Sequence, residues 1–260
     1  AGNGFSTTIN LEKCPGQHIR AKYNDRNQTP IPINGTDPYA NVDGTRNPHY
    51  LTLRDVAPVI GWFYNPKLGQ VWYENRHNNT EVYSVRQMAE PAIPAAPKFG
   101  GLVIAKVPGM NGSDGNVFFG EWAPRKGNPP QNSTDLNMAD GKRTVWYVGD
   151  NPTRNMPKLV NAKYNVLGVN KHTPGRNDFY TGTLTANYGT GSGSLTGSIS
   201  RPGDSVNFAG TNIRSNGTFD NGKANEHITG RFYGSGAEAL AGIVDRAGVD
   251  KDIAFGGRKQ

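Results

Sequence analysis

The chain has 260 residues, 35% of them apolar, with 34 Gly, 18 Pro and 28 basic against 21 acidic groups for a net charge of +7. That length suits two unequal domains at roughly 100–200 residues each, and so much Gly and Pro excludes a mainly helical protein in favour of short strands joined by turns. The basic excess is spread along the chain, 11 to 9 over residues 1–115 and 17 to 12 over 116–260, without the basic runs and interleaved aromatics of a nucleic-acid groove.

The opening "AGNGFS" has no methionine and reads as a mature chain after signal-peptide removal, so the expected location is secreted and extracellular. No stretch approaches the roughly 18 consecutive apolar residues of a transmembrane helix. Cys14 is alone, which excludes an internal disulfide, and thiol poverty fits bacterial export. His18, four residues from Cys14, offers too few ligands for a metal site by itself.

The first 125 residues read as a small α+β unit. "LTLRDVAPVIGWFY" starts as a short helix and breaks near Pro58; "QVWYEN", "EVYSVRQM", "GLVIAKV" and "NVFFGEWA" follow as strands. The proline spacing of "EPAIPAAPK" favours an extended segment. Residues 126–141 are polar and read as a linker. Residues 142–260 then give eight strand-like runs: "TVWYVGD", "AKYNVLGVN", "DFYTGTLTANY", "GSLTGSIS", "SVNFAGTNI", "EHITGRFYG", "ALAGIVDR" and "DIAFGGRK". Period-2 alternation puts Thr181, Thr183 and Thr185 on one side and Tyr180, Leu184 and Ala186 on the other. Eight such strands close into an antiparallel barrel filled by its own side chains. The "GTGSGSLTGS" stretch resembles a linker by composition, but its place between two strands predicts a wide hairpin turn. The expected fold is therefore mainly β, an N-terminal α+β handle domain followed by an eight-stranded barrel.

Signatures of catalysis are absent: there is no G-x-S-x-G, H-E-x-x-H, C-x-x-C or phosphate loop with its lysine, and the carboxylates are scattered. The expectation is a binding protein, not an enzyme. His172, in the turn "KHTPG", and His227, at a strand start, read as structural. His49 and His77 differ because Tyr50, Trp62, Phe63, Tyr64, Trp72 and Tyr73 lie between them. Three consecutive rings cannot all point into one core from a strand, so some must face a second surface. A flat, largely apolar ligand explains the excess. Arg46, Arg54, Arg76 and Arg86 are near in sequence to pair with carboxylates at its rim. Haem meets all three demands, with His49 and His77 as the iron ligands and Tyr50, Arg54, Trp62, Tyr64, Trp72 and Tyr73 around the porphyrin.

"FFGEWA", "TVWYVGDNPTRNMP", "AKYNVLGVN", "GRFYGSGAEALAGIV" and the closing "FGGRKQ" resemble the barrel of the hemophilin-type secreted haem carriers of Gram-negative bacteria. They are more distantly similar to the barrel lobes of transferrin-binding protein B. The likeness spans roughly residues 118–260. It implies a handle-like ligand-binding domain on an eight-stranded barrel, a haemophore role in iron acquisition, export through the outer-membrane surface lipoprotein assembly modulator, and haem delivery to a TonB-dependent outer-membrane receptor. Many relatives are anchored through a cysteine at the first mature position; Ala1 stands there in this chain, which favours a released carrier. The resemblance places no axial histidine, and the same barrel in binders of transferrin or immune regulators keeps a host-protein ligand open, as it does another flat ligand such as a corrinoid.

Overall fold

The computed structural model describes residues 4–6, 49–51, 69–87, 101–110, 114–124, 126, 136–141, 143–149 and 151–260. They form two sheets. The first is built from β1 (Gly4–Ser6), β2 (His49–Leu51), β3 (Gly69–Arg76), β4 (Thr80–Gln87), β5 (Gly101–Lys106), β6 (Val117–Ala123) and β7 (Thr144–Gly149), in the order β1-β7-β6-β5-β4-β3-β2. From β2 to β7 it is an antiparallel meander, and β1 pairs parallel to β7. The four strand runs predicted between Gln70 and Ala123 are thus β3 to β6. Leu51, the first residue of the predicted helix start, ends strand β2, and the rest of that run lies outside the described residues, as do most of the linker and "EPAIPAAPK"; among the described residues the one helical element is a 3-10 turn, Val249–Lys251.

The second sheet is the expected barrel. It comprises β8 (Leu159–Val169), β9 (Tyr180–Gly189), β10 (Ser192–Arg201), β11 (Asp204–Asn207), β12 (Thr211–Arg214), β13 (Thr218–Asp220), β14 (His227–Tyr233), β15 (Ala239–Asp245) and β16 (Ile253–Lys259). β8 pairs with both β9 and β16, which closes the sheet on itself, and every pairing is antiparallel. Two of the eight predicted runs need correction. "TVWYVGD" is β7, hydrogen-bonded to β6 in the first sheet. Its burial on both faces leaves no alternation to say which sheet it joins. The missing stave is β13, three residues long and too short to show a period. "SVNFAGTNI" is bent around Phe208, so β11 and β12 pair successive stretches of the same side of β10.

The predicted alternation of "DFYTGTLTANY" is present: Tyr180, Leu184, Ala186 and Tyr188 turn inward. They meet Leu195, Ile199, Phe208, Phe219, Phe232 and Phe255, so the lumen is a packed core. At Gly230 a Cβ would sit 2.4 Å from Phe219 Cζ, so the missing side chain is what seats that ring. The "GTGSGS" hairpin is tighter than expected, with Thr190 and Gly191 at φ 52° and 88°, a two-residue turn whose twist suits the strands.

One face of the first sheet lies on the barrel's outer wall. Val82, Val103, Ala105, Val117, Phe119, Val145 and Tyr147 from the sheet share a core with Leu167, Val169, Phe179, Tyr233, Ala239, Ala241, Ile243 and Ala254 from the barrel. β10 and β12 lie on the far side of the barrel from this contact, with β9 leading from its rim, at Phe179, round to β10.

Candidate ligand-binding sheet

Strand alternation gives the first sheet a second face, directed away from the barrel. Tyr83, opposite Tyr73, is paired in turn with Ile104, Ile104 with Gly120, and Gly120 with Trp146, which also stands opposite Phe5. The neighbouring row runs His49, Val71, Val85, Leu102 and Trp122. Tyr83, Leu102, Ile104 and Trp146 are all buried and none belongs to the barrel-facing core. This is an aromatic and aliphatic floor at whose edge strand, β2, a histidine stands in register.

The predicted site residues divide between the two faces. His49 and Tyr73 occupy register positions of the outer face. Tyr50 pairs with Gln70 and Trp72 with Ser84, positions that alternate with them and share the register of barrel-facing Glu74. Arg54, Trp62 and Tyr64 lie outside the described residues, as does Arg46. His77 occupies the β3–β4 turn, where Asn78 and Asn79 take φ values of 56° and 63° and Thr80 N–H donates to His77 O at 3.2 Å. Its ring is exposed, and the desolvation it does feel lowers its pKa from the ordinary 6.5, which keeps the imidazole neutral at neutral pH. His49 stands opposite Val71, six residues before His77, so about 20 Å of strand separates the two histidines. The structure does not bring them together.

Sequence reasoning missed the polar joint that holds this sheet against the barrel. Glu74, fully buried, bonds His172 Nε2 at 2.5 Å and Arg76 Nε at 3.1 Å, and the other ring nitrogen of His172 bonds Asp178. Burial alone would lower the pKa of His172, but the hydrogen bonds to Asp178 and Glu74 outweigh it and push the value up to about 9. Imidazolium therefore joins β3 to the β8–β9 loop at neutral pH. The ring also stacks on Phe179 at 4.3 Å. His172 N–H donates to Glu121 Oε1 and Lys171 N–H to Glu121 Oε2, both at 2.8 Å, while Arg143, wholly buried, donates to Glu121 at 2.6 Å and to Val249 O at 2.6 Å. Arg76 and Arg86, expected at a ligand's rim, reach Gly175 O and His172 O instead. The signal available in sequence was one histidine in a turn, which points to structure but not to its partners about a hundred residues away. His227, the other histidine read as structural, pairs with Asp220 at 3.0 Å.

Among the described residues no group of three His, Cys, Asp or Glu side chains is arranged to hold a metal ion, and no helix is long and apolar enough to cross a membrane. Comparison with solved structures finds one titled "Crystal Structure of Surface Lipoprotein", 16% identical, covering 75% of this chain and 100% of that chain at a TM-score of 0.37. Residues 154–259, the stretch that contains the whole barrel from β8 to β16, match the family model described as the HphA C-terminal domain.

Proposed function

We propose that the protein is an extracellular haem carrier whose first sheet holds the porphyrin on the face turned away from the barrel. The observation that carries this reading is the match of residues 154–259 to the HphA C-terminal domain. Its support from the fold is the outer face itself, where Tyr83, Leu102 and Ile104 form an apolar floor beside the register position of His49. These residues fit a planar apolar ligand with a metal at its centre. Tyr73 holds a register position of the same face, and Arg54, Trp62 and Tyr64 complete the proposed surroundings; Tyr50 and Trp72, at register positions of the barrel-facing side, would contribute only if their strands shifted.

His49 and His77 are the proposed iron ligands, each offering an imidazole nitrogen whose second ring nitrogen a carbonyl or carboxylate would fix; in the turn as it stands His77 Nε2 pairs with Asn78 Nδ2 at 3.3 Å. With about 20 Å of strand between them, both reach one metal only if the β3–β4 turn folds back over the outer face. If the turn stays in place, His49 acts alone. Haem supplies the metal bond; the chain supplies orientation and the exclusion of water. Capture would be followed by delivery to a TonB-dependent outer-membrane receptor, after export by the surface lipoprotein assembly modulator.

Titrating the purified chain with haemin tests the proposal. A saturable, shifted Soret band supports it, and a spectrum identical to free haemin overturns it. His49→Ala and His77→Ala, made singly, then assign the ligands. Loss of the six-coordinate spectrum in both variants means two imidazoles, and loss in His49→Ala alone means one. An unchanged spectrum in both refutes the assignment of either.

A further inference from the structure

We propose that the barrel wall formed by β9, β10 and β12 binds a neutral, hydroxyl-rich glycan chain. From Thr181 to Asn187 on β9 and from Ser192 to Ser200 on β10, every outward position is Ser, Thr or Asn, in a chain of which 19% of residues are charged. Threonine serves strand propensity, but asparagine is disfavoured in strands and stands in four of them on this side, at Asn161 and Asn165 on β8, Asn187 on β9, Asn207 on β11 and Asn212 on β12.

At the β9–β10 hairpin end this wall opens into a groove of about 360 Å³, inside the range of small-ligand pockets. It is lined by Leu159, Asn187, Tyr188, Ser192, Ser194 and Asn212, with the backbone of two glycines, and by no charged side chain. Asn187, Ser194 and Asn212 are directly opposite one another on three adjacent strands, so their hydrogen-bonding groups repeat at about 4.8 Å along one line. Asn161 N–H donates to Asn187 Oδ1 at 2.8 Å, which fixes that amide and leaves its NH2 end as the donor. The donor comes from a bulge: the β8–β9 register slips between Leu159 and Ala162, with Asn161 at φ 47°. Bulges of this kind re-aim side chains beside binding sites. This one displays Val160, 69% exposed, next to the groove, where it can cover the apolar face of a sugar ring.

Charge decides the ligand class. No cation lines the groove; of the two that flank it, Lys163 spends its Nζ on Thr185 Oγ1 at 2.8 Å, and Arg214, opposite Ser192, lies within electrostatic reach of Asp220. A protein partner would need the buried aromatic or arginine anchors of an interface, and the outward positions of β9 and β10 hold none. Uncharged donors and acceptors in a shallow row, with one aliphatic side chain at the rim, suit a neutral oligosaccharide.

The test uses the full chain and ¹H–¹⁵N spectra with maltohexaose, cellohexaose and chitohexaose added to millimolar concentration. The expected result is saturable shifts, with at least one of them, at the side-chain amides of Asn187 and Asn212 and at Gly189 and Gly193. Asn187→Ala with Asn212→Ala should weaken that binding about tenfold while the backbone amide spectrum stays that of the folded chain, the lost Asn161–Asn187 bond lowering thermal stability only slightly because it is exposed. No saturable shift at these amides with any of the three overturns the proposal. So does equal binding of an anionic oligogalacturonate, or the same shifts appearing without sugar as protein concentration rises, which would mean self-association. Haemin plays no part, so the outcome is independent of the haem reading.

Discussion

Removing the imidazole at the joint between sheet and barrel has a calculable effect. In the folded protein His172 titrates at about 9 against an ordinary 6.5, because Asp178 and Glu74 bond its charged form more strongly than burial opposes it. A raised pKa means stability fully present below 6.5 and lost as pH rises through about 9. The rise corresponds to about 3 kcal/mol at roughly 1.4 kcal/mol per unit. His172→Gln leaves Glu74 buried with Arg76 as its charged partner and has no such titration in its place. Urea denaturation of both proteins at intervals from pH 6 to 10 supplies the numbers. The stability of the parent minus that of the variant should be largest at pH 6 and shrink by about 3 kcal/mol towards pH 10. Titrations elsewhere in the chain cancel in that difference. A difference that stays flat, or grows with pH, refutes the charged-imidazole joint.

Arg143→Met strands Glu121 at the interface and should cost about 3–5 kcal/mol in the same assay; a loss within measurement error would mean the pair contributes little. Gly230→Ala forces a Cβ to 2.4 Å from both Phe219 Cζ and the backbone oxygen of Ala241, so a thermal melt should show a loss of about 1–3 kcal/mol, and an unchanged melt would contradict the close packing at Gly230. Haem affinity should fall on acidification through about pH 6.5, as protons compete for imidazole; affinity constant down to pH 5 would argue against histidine ligation.

The barrel was legible because its strands obey period 2 with one face on the lumen, as Tyr180, Leu184 and Ala186 against Thr181, Thr183 and Thr185 illustrate. The rule failed where it had nothing to act on. Thr144–Gly149 is buried on both faces and so looked like any strand, and Thr218–Asp220 is too short to alternate. For the candidate site, sequence proximity drew attention to the aromatic segment but could not sort it by face. Register puts Tyr73 with Tyr83 and Ile104, while Trp72 falls opposite Ser84. His172 and Glu74 are 98 residues apart, and a contact made by folding leaves no mark in local spacing.

The pairing of β16 with β8 brings residues 254–259 against 164–169. A chain delivered amino-terminus first, from a ribosome or through a membrane pore, would hold this wall as an open, curved ribbon until β16 emerged. During that interval β8 offers an unsatisfied edge on which a second chain can nucleate misassembly. Deleting the last seven residues should therefore yield aggregates, where an equal deletion of a surface loop would yield a slightly weaker monomer.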